Sequence, residues 1–189
     1  RLGRAGEYRD NETGMHVIRM SKNCQLLALA AGLGGDFARR LLDASPMHDV
    51  GKIGIPDGIL LKPGKLDGAE WEIMKSHAEI GADIVGKSNV EMMVMARSVA
   101  LTHHEKWDGS GYPRGLKGGD IPIEGRIAAV ADVFDALTSE RPYKQAWPVA
   151  EAANFINENA GSHFDREVVR LFNEKLPEIL KIRDDYSDG

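Results

Sequence analysis

The sequence predicts an all-α domain, a bundle of roughly seven helices, and three observations lead there. Apolar residues recur at helical spacing, while strand-like alternation is almost absent. Aromatic residues make up only 6% of the chain, which suits an aliphatic core between helices better than a β-sandwich. Hydrophobic residues at 42% and charged residues at 28% have the balance of a folded globular protein, which excludes wholesale disorder.

The elements follow in order. Residues 15–33 carry Ile18, Cys24, Leu27, Leu29 and Ala30 and run into Gly32 and Gly34, a helix with a glycine stop. Residues 37–49 repeat the pattern with Leu41, Leu42 and Met47, and Pro46 must kink this helix or begin a new turn. Four glycines and two prolines mark 51–66 as a loop. Asp67 followed by Glu70 is a capping box that opens a helix through Trp71, Met74, Ile80 and Ile84. Residues 92–105 form the next helix, and 107–125 form a second glycine-rich loop, too rich in glycine for a mere connector. Pro122 sits where a first helical turn tolerates it. Residues 126–138 are strongly apolar, 148–160 end at Gly161, and 165–176 make the last helix, leaving a peripheral tail after Pro177. Read as domains, residues 1–11 are a linker helix, 12–176 the functional domain and 177–189 the tail.

The 189 residues suit one domain with a short appendage. A formal net charge of −5 disfavours a binder of nucleic-acid polymers, which needs a basic surface. The longest uncharged stretch, 23–35, is too short to span a bilayer, and no signal peptide is visible. A lone Cys24 excludes a disulfide framework and points to the cytoplasm. In an aliphatic helix, that thiol reads as buried and inert.

Of the six histidines, five fall beside carboxylates or beside each other. His16 follows Glu12 by one helical turn, His48-Asp49 and His103-His104 are adjacent pairs, His77 lies within a helix, and Asp132 interrupts an apolar helix. Any one of these histidines alone reads as structural, as His163 does. An unpaired carboxylate on an apolar helix is expensive to bury, so Asp132 needs a partner. Five imidazoles and three carboxylates without a thiolate suit iron, manganese, zinc, cobalt or nickel and argue against a structural cysteine-type zinc site. Helical bundles build di-metal centres from such side chains.

These residues stand in motifs. His48-Asp49 is the signature pair of the HD phosphohydrolase superfamily. His103-His104-Glu105 with Trp107-Asp108-Gly109-Ser110-Gly111-Tyr112-Pro113 resembles the distinguishing element of the HD-GYP family. Residues 51–57 (GKIGIPD), 62–66 (KPGKL), 130–138 (VADVFDALT) and 141–144 (RPYK) extend the likeness over roughly 12–172. Arg166 stands where a proline often follows Phe-Asp, and Ser45-Pro46 precedes His48-Asp49 where plainer helix formers are common. Neither position belongs to the ligand set.

The resemblance implies an all-helical cyclic di-GMP phosphodiesterase with a glycine-rich GYP loop, hydrolysing its substrate to pGpG and on to GMP. It implies that Asp49 bridges two divalent cations, iron or manganese foremost. His16, His48 and Asp132 would complete the shell of one ion, and His77, His103 and His104 that of the other. Glu12 matches a position that helps hold a third ion in some members. Two cations about 3.5–4 Å apart generate hydroxide near neutral pH and stabilise an in-line displacement, so no nucleophilic side chain is needed. Lys52 would assist catalysis at a phosphate oxygen, or form a salt bridge to Asp135. Arg141 and Lys144 would bind phosphate or guanine, or form surface ion pairs. Tyr112 would stack on a base, or pin the loop, and Asp135 joins the substrate-binding set. The family also implies docking of the GYP loop onto diguanylate cyclase domains and an upstream receiver or sensor domain of a two-component system. A homodimer through the first helix is a further expectation. Other readings are hydrolysis of pGpG or another cyclic dinucleotide, and a non-catalytic signalling module that binds nucleotide or a partner protein.

Overall fold

The computed structural model describes residues 14–140 and 145–187. The expected linker helix over 1–11, Glu12, Arg141 and Lys144 lie outside the described residues. The architecture is all-α: the described residues form nine helices of eight residues or more, and their one extended pairing is an isolated bridge between Ala160 and Phe164.

Helix α1 (Gly14–Ala30) buries Val17, Met20, Cys24, Leu27 and Ala28 along one stripe, and stops where Gly32 and Gly34 adopt positive φ. In α2 (Gly35–Ala44) the stripe is Ala38, Leu41 and Ala44. Pro46 then starts a new turn, a short 3-10 segment over Ser45–Met47, because its ring cannot continue the α-helical ladder. His48-Asp49 therefore occupies a corner between two tight 3-10 segments, the second being Val50–Gly54, and does not end a long helix. The expected loop over 51–66 holds that 3-10 segment and a single helical turn at Asp57–Leu60.

The capping box is formed: Glu70 N donates to Asp67 Oδ1 at 2.9 Å and Asp67 N to Glu70 Oε2 at 2.8 Å. The helix it opens is two helices, α3 (Gly68–Lys75) and α4 (His77–Val85). At the junction, Ser76 Oγ donates to Ile73 O and His77 Nδ1 to Met74 O, so side chains compete for the carbonyls of the preceding turn. His77 is thus the first residue of α4 instead of sitting within a continuous helix. Helix α5 (Glu91–Thr102) ends just before His103, and α6 (Ile123–Thr138) follows Pro122. Helices α7 (Val149–Glu158), α8 (Arg166–Glu174) and α9 (Leu176–Asp185) complete the bundle.

Helix α6 is the axis. Ile127 to Ala131, with Phe134 and Leu137, are buried around its whole circumference, and it touches α1, α5, α7 and α8. The tail expected to be peripheral is helical and packed: α9 lies against α1, Ile179 is buried, and Arg19 Nη1 donates to Tyr186 O at 2.9 Å. The split at Ser76 and this last helix account for nine helices where the periodicity suggested about seven. No described helix is long and apolar enough to cross a membrane.

Candidate metal centre

The residues that the motifs single out come from five places in the chain and meet in one cleft. His16 comes from α1, His48 and Asp49 from the corner after α2, His77 from the start of α4, His103 and His104 from the end of α5, and Asp132 from α6. Two groups result. Ligating atoms of His16, His48 and Asp132 all lie within 4.8 Å of one another, and so do those of Asp49, His77, His103 and His104.

Asp49 stands between the groups. Its Oδ1 is 3.2 Å from His77 Nε2 and 3.5 Å from His103 Nε2, while Oδ2 is 3.4 Å from His48 Nε2 and 2.7 Å from Lys52 Nζ. On the other side, Asp132 Oδ1 lies 3.5 Å from His16 Nε2 and 3.9 Å from His48 Nε2.

The imidazoles are aimed by their other nitrogen. Nδ1 of His48, His77 and His103 meets the carbonyls of Ser45, Met74 and Val99 at 3.0, 2.7 and 3.0 Å. A carbonyl only accepts, so each Nδ1 carries a hydrogen and each Nε2 is the atom turned into the cleft. These three Nε2 atoms and Asp49 Oδ1 are buried with no hydrogen-bond partner among the described residues. Polar atoms converging on one point without partners are costly unless a cation fills it, and the all N/O donor set suits divalent metals. The residues fit the metals that the motifs imply.

Charge behaves accordingly. Burial works against ionisation of Asp49, but Lys52 and His48 overcome it and hold the carboxyl well below the usual carboxylate range. Burial also opposes a charge on His48, yet the Asp49 carboxylate beside it pushes the imidazole up to about 10. A cation entering here therefore displaces a proton. Burial, then His103 and His77, keep His104 well below the ordinary histidine range and neutral.

Two residues to which the sequence reading gave no role support the cluster. Arg19 is buried one turn after His16, and it clamps Asp135 through Nε at 2.7 Å and Nη2 at 3.0 Å. Asp135 Oδ2 meets His16 Nδ1 at 2.8 Å and accepts from Ser139 Oγ at 3.1 Å. Asp135 thus lies behind a histidine instead of facing a substrate, and its salt bridge is to Arg19, not to Lys52. The matching three-residue spacings of His16/Arg19 and Asp132/Asp135 were the available signal, since they put each pair on one helix face. The second residue is Glu105, also buried, whose carboxylate accepts from Arg114 N at 2.8 Å and Leu116 N at 3.0 Å. It folds the glycine-rich loop back onto the histidine pair. Nothing in its spacing distinguishes it from a loop acid.

Tyr112 pins that loop. Its ring stacks on His104 at 4.7 Å with 28° between planes, and lies edge-on to His77 at 6.3 Å. Cys24 is fully buried, and burial pushes its thiol up to about 12, so it is inert. His163 stacks on Phe164 at 4.1 Å, and its carbonyl accepts from Trp107 N, both structural roles.

The HD domain family matches residues 7–168. The chain belongs to that family, and the motifs place it in the HD-GYP type. It is 48% identical over 187 residues to 3'3'-cGAMP-specific phosphodiesterase 2 of Vibrio cholerae, covering 99% of this chain and 36% of the relative. A cyclic di-GMP phosphodiesterase of Thermotoga maritima is 48% identical over 181 residues, covering 96% of this chain and 49% of the relative. The chain therefore spans between about a third and a half of these relatives. Among solved structures, a cyclic GMP-AMP specific phosphodiesterase of V. cholerae shares the fold with a TM-score of 0.69 at 20% identity, over 95% of this chain and 49% of the other.

Proposed function

We propose that this domain hydrolyses the phosphodiester bonds of a cyclic dinucleotide, cyclic di-GMP first, with pGpG and then GMP as products. The observation that carries the reading is the position of Asp49 between two ligand groups, with His77 and His103 at one carboxylate oxygen and His48 at the other. A relative 48% identical that is named for 3'3'-cGAMP favours that dinucleotide as the second reading.

Divalent cations, iron or manganese foremost, lower the pKa of water to about 7 and offset charge on phosphate oxygens when bound. His16, His48 and Asp132 would hold one, and His77, His103 and His104 the other, with Asp49 joining them. Once a cation displaces the His48 proton, the imidazoles offer lone pairs in directions that their Nδ1 hydrogen bonds fix. Lys52, paired to Asp49 at 2.7 Å, adds a positive charge beside the place where a phosphate must sit. A dianionic ligand meeting a chain of net charge −5 needs that local compensation. Arg141 and Lys144 would add to it, and Glu12 would serve a third cation. A cytoplasmic site, a linker over 1–11 from a receiver or sensor domain, and docking of the GYP loop on a diguanylate cyclase domain belong to the same reading.

Manganese- or iron-loaded protein should convert cyclic di-GMP to pGpG, assayed beside 3'3'-cGAMP and pGpG with metal content measured on the same sample. The double variant His48→Ala/Asp49→Ala should lose at least about a thousandfold in turnover and keep its helical circular dichroism. Full turnover by that variant would end the dinuclear reading. A metal-loaded wild type that binds these nucleotides without cleaving them would leave only the signalling-module alternative.

A further inference from the structure

We infer that Trp71 is the surface on which a purine base of the substrate stacks, in place of Tyr112. This rests on the reading of the domain as a cyclic-dinucleotide hydrolase and adds a residue that no motif assigns.

Tyr112 is enclosed. His104 covers a face of its ring, His77 and Trp71 meet it edge-on at 6.3 and 6.1 Å, and Lys75 Nζ lies 5.9 Å from its centroid. Burial and the nearby Asp49 carboxylate raise its phenol, which stays neutral. Trp71 is the next ring outward and is 46% exposed. Its one ring contact among the described residues is the edge-on one to Tyr112, with 82° between planes. The chain His104, Tyr112, Trp71 thus runs from a candidate ligand to solvent, and the indole centroid is no more than about 11 Å from that of His104. A nucleotide whose phosphate sits at the cluster can reach it with its base.

A scattered exposed apolar residue is ordinary. Trp71 also occupies the fourth helical position after the Asp67 cap, where an apolar side chain commonly packs against the residue before the cap, here Leu66. That role needs only an aliphatic group. It does not account for a large π-surface set one ring away from the cluster. Aromatic stacking recognises any purine face, so Trp71 supplies affinity without choosing between guanine and adenine.

The test uses metal-loaded protein. Trp71→Leu keeps an apolar group at the helix start and should hold its melting temperature, while raising KM for cyclic di-GMP about tenfold with little change in kcat. Trp71→Phe, which retains a ring, should recover most of that loss. A slowly hydrolysed phosphorothioate analogue of cyclic di-GMP should quench tryptophan emission in the wild type and not in Trp71→Phe. An unchanged KM in Trp71→Leu, or quenching that persists in Trp71→Phe, overturns the assignment while leaving the hydrolase reading intact. A wild type that neither cleaves nor binds any cyclic dinucleotide removes that reading, and this inference with it.

Discussion

At the scale of single residues, the four histidines with a fixed Nδ1 differ in what fixes it. His48, His77 and His103 lean on main-chain carbonyls, whereas His16 leans on Asp135, which in turn is held by Arg19. An Asp135→Asn substitution removes the charge that Arg19 pairs with and puts an amide against His16 Nδ1. Affinity for Mn²⁺, measured by competition with a chromophoric chelator, should fall about 10- to 100-fold. The loss should fall on the ion that His16, His48 and Asp132 would hold. Most of the cluster was legible in the chain, because adjacent pairs and carboxylates on apolar helices announce themselves. Arg19 and Glu105 were not. A buried charge is recognisable only once its partner is known, and those partners lie 116 residues away for Arg19 and on two backbone amides for Glu105.

At the scale of elements, the histidines are placed by how closely backbones approach. A Cβ at Gly51 would come within 1.9 Å of the His77 carbonyl and 2.4 Å of Gly81 N, so the 3-10 turn after Asp49 rests directly on α4. Gly51→Ala must push α4 outward and carry His77 with it. We expect destabilisation of at least about 2 kcal/mol in urea titrations, and weaker Mn²⁺ binding by the Asp49, His77, His103 and His104 group. Helical periodicity disclosed α1, α2, α5 and α6 within a few residues. It missed the break at Ser76, because two side-chain hydrogen bonds to carbonyls interrupt the ladder without disturbing the apolar spacing. It missed α9 because Pro177 and the charged residues of Leu176–Asp185 mask a short apolar stripe, and the element is fixed by Ile179 in the core and Arg19 on Tyr186 O.

At the scale of the molecule, folding assembles a buried cleft in which Asp49 Oδ1 and the Nε2 atoms of His48, His77 and His103 are left without hydrogen-bond partners among the described residues. Metal should therefore act as a structural ligand. At a free concentration about a hundred times Kd it adds about 2.7 kcal/mol. For a domain of this size that corresponds to a rise of about 5–10 °C in Tm. Differential scanning calorimetry of chelator-treated and manganese-loaded protein checks this, and His48→Ala/Asp49→Ala should show a much smaller rise.

Three imidazoles take their direction from main-chain oxygens, which every residue supplies whatever its side chain. Substitutions can accumulate at Ser45, Met74 and Val99 without turning those rings, provided the local fold persists. Only the fourth, tethered by a carboxylate, is exposed to genetic drift at its support. Descendants of this chain that fall silent should then tend to lose Asp135 or Arg19 before any neighbour of the other three.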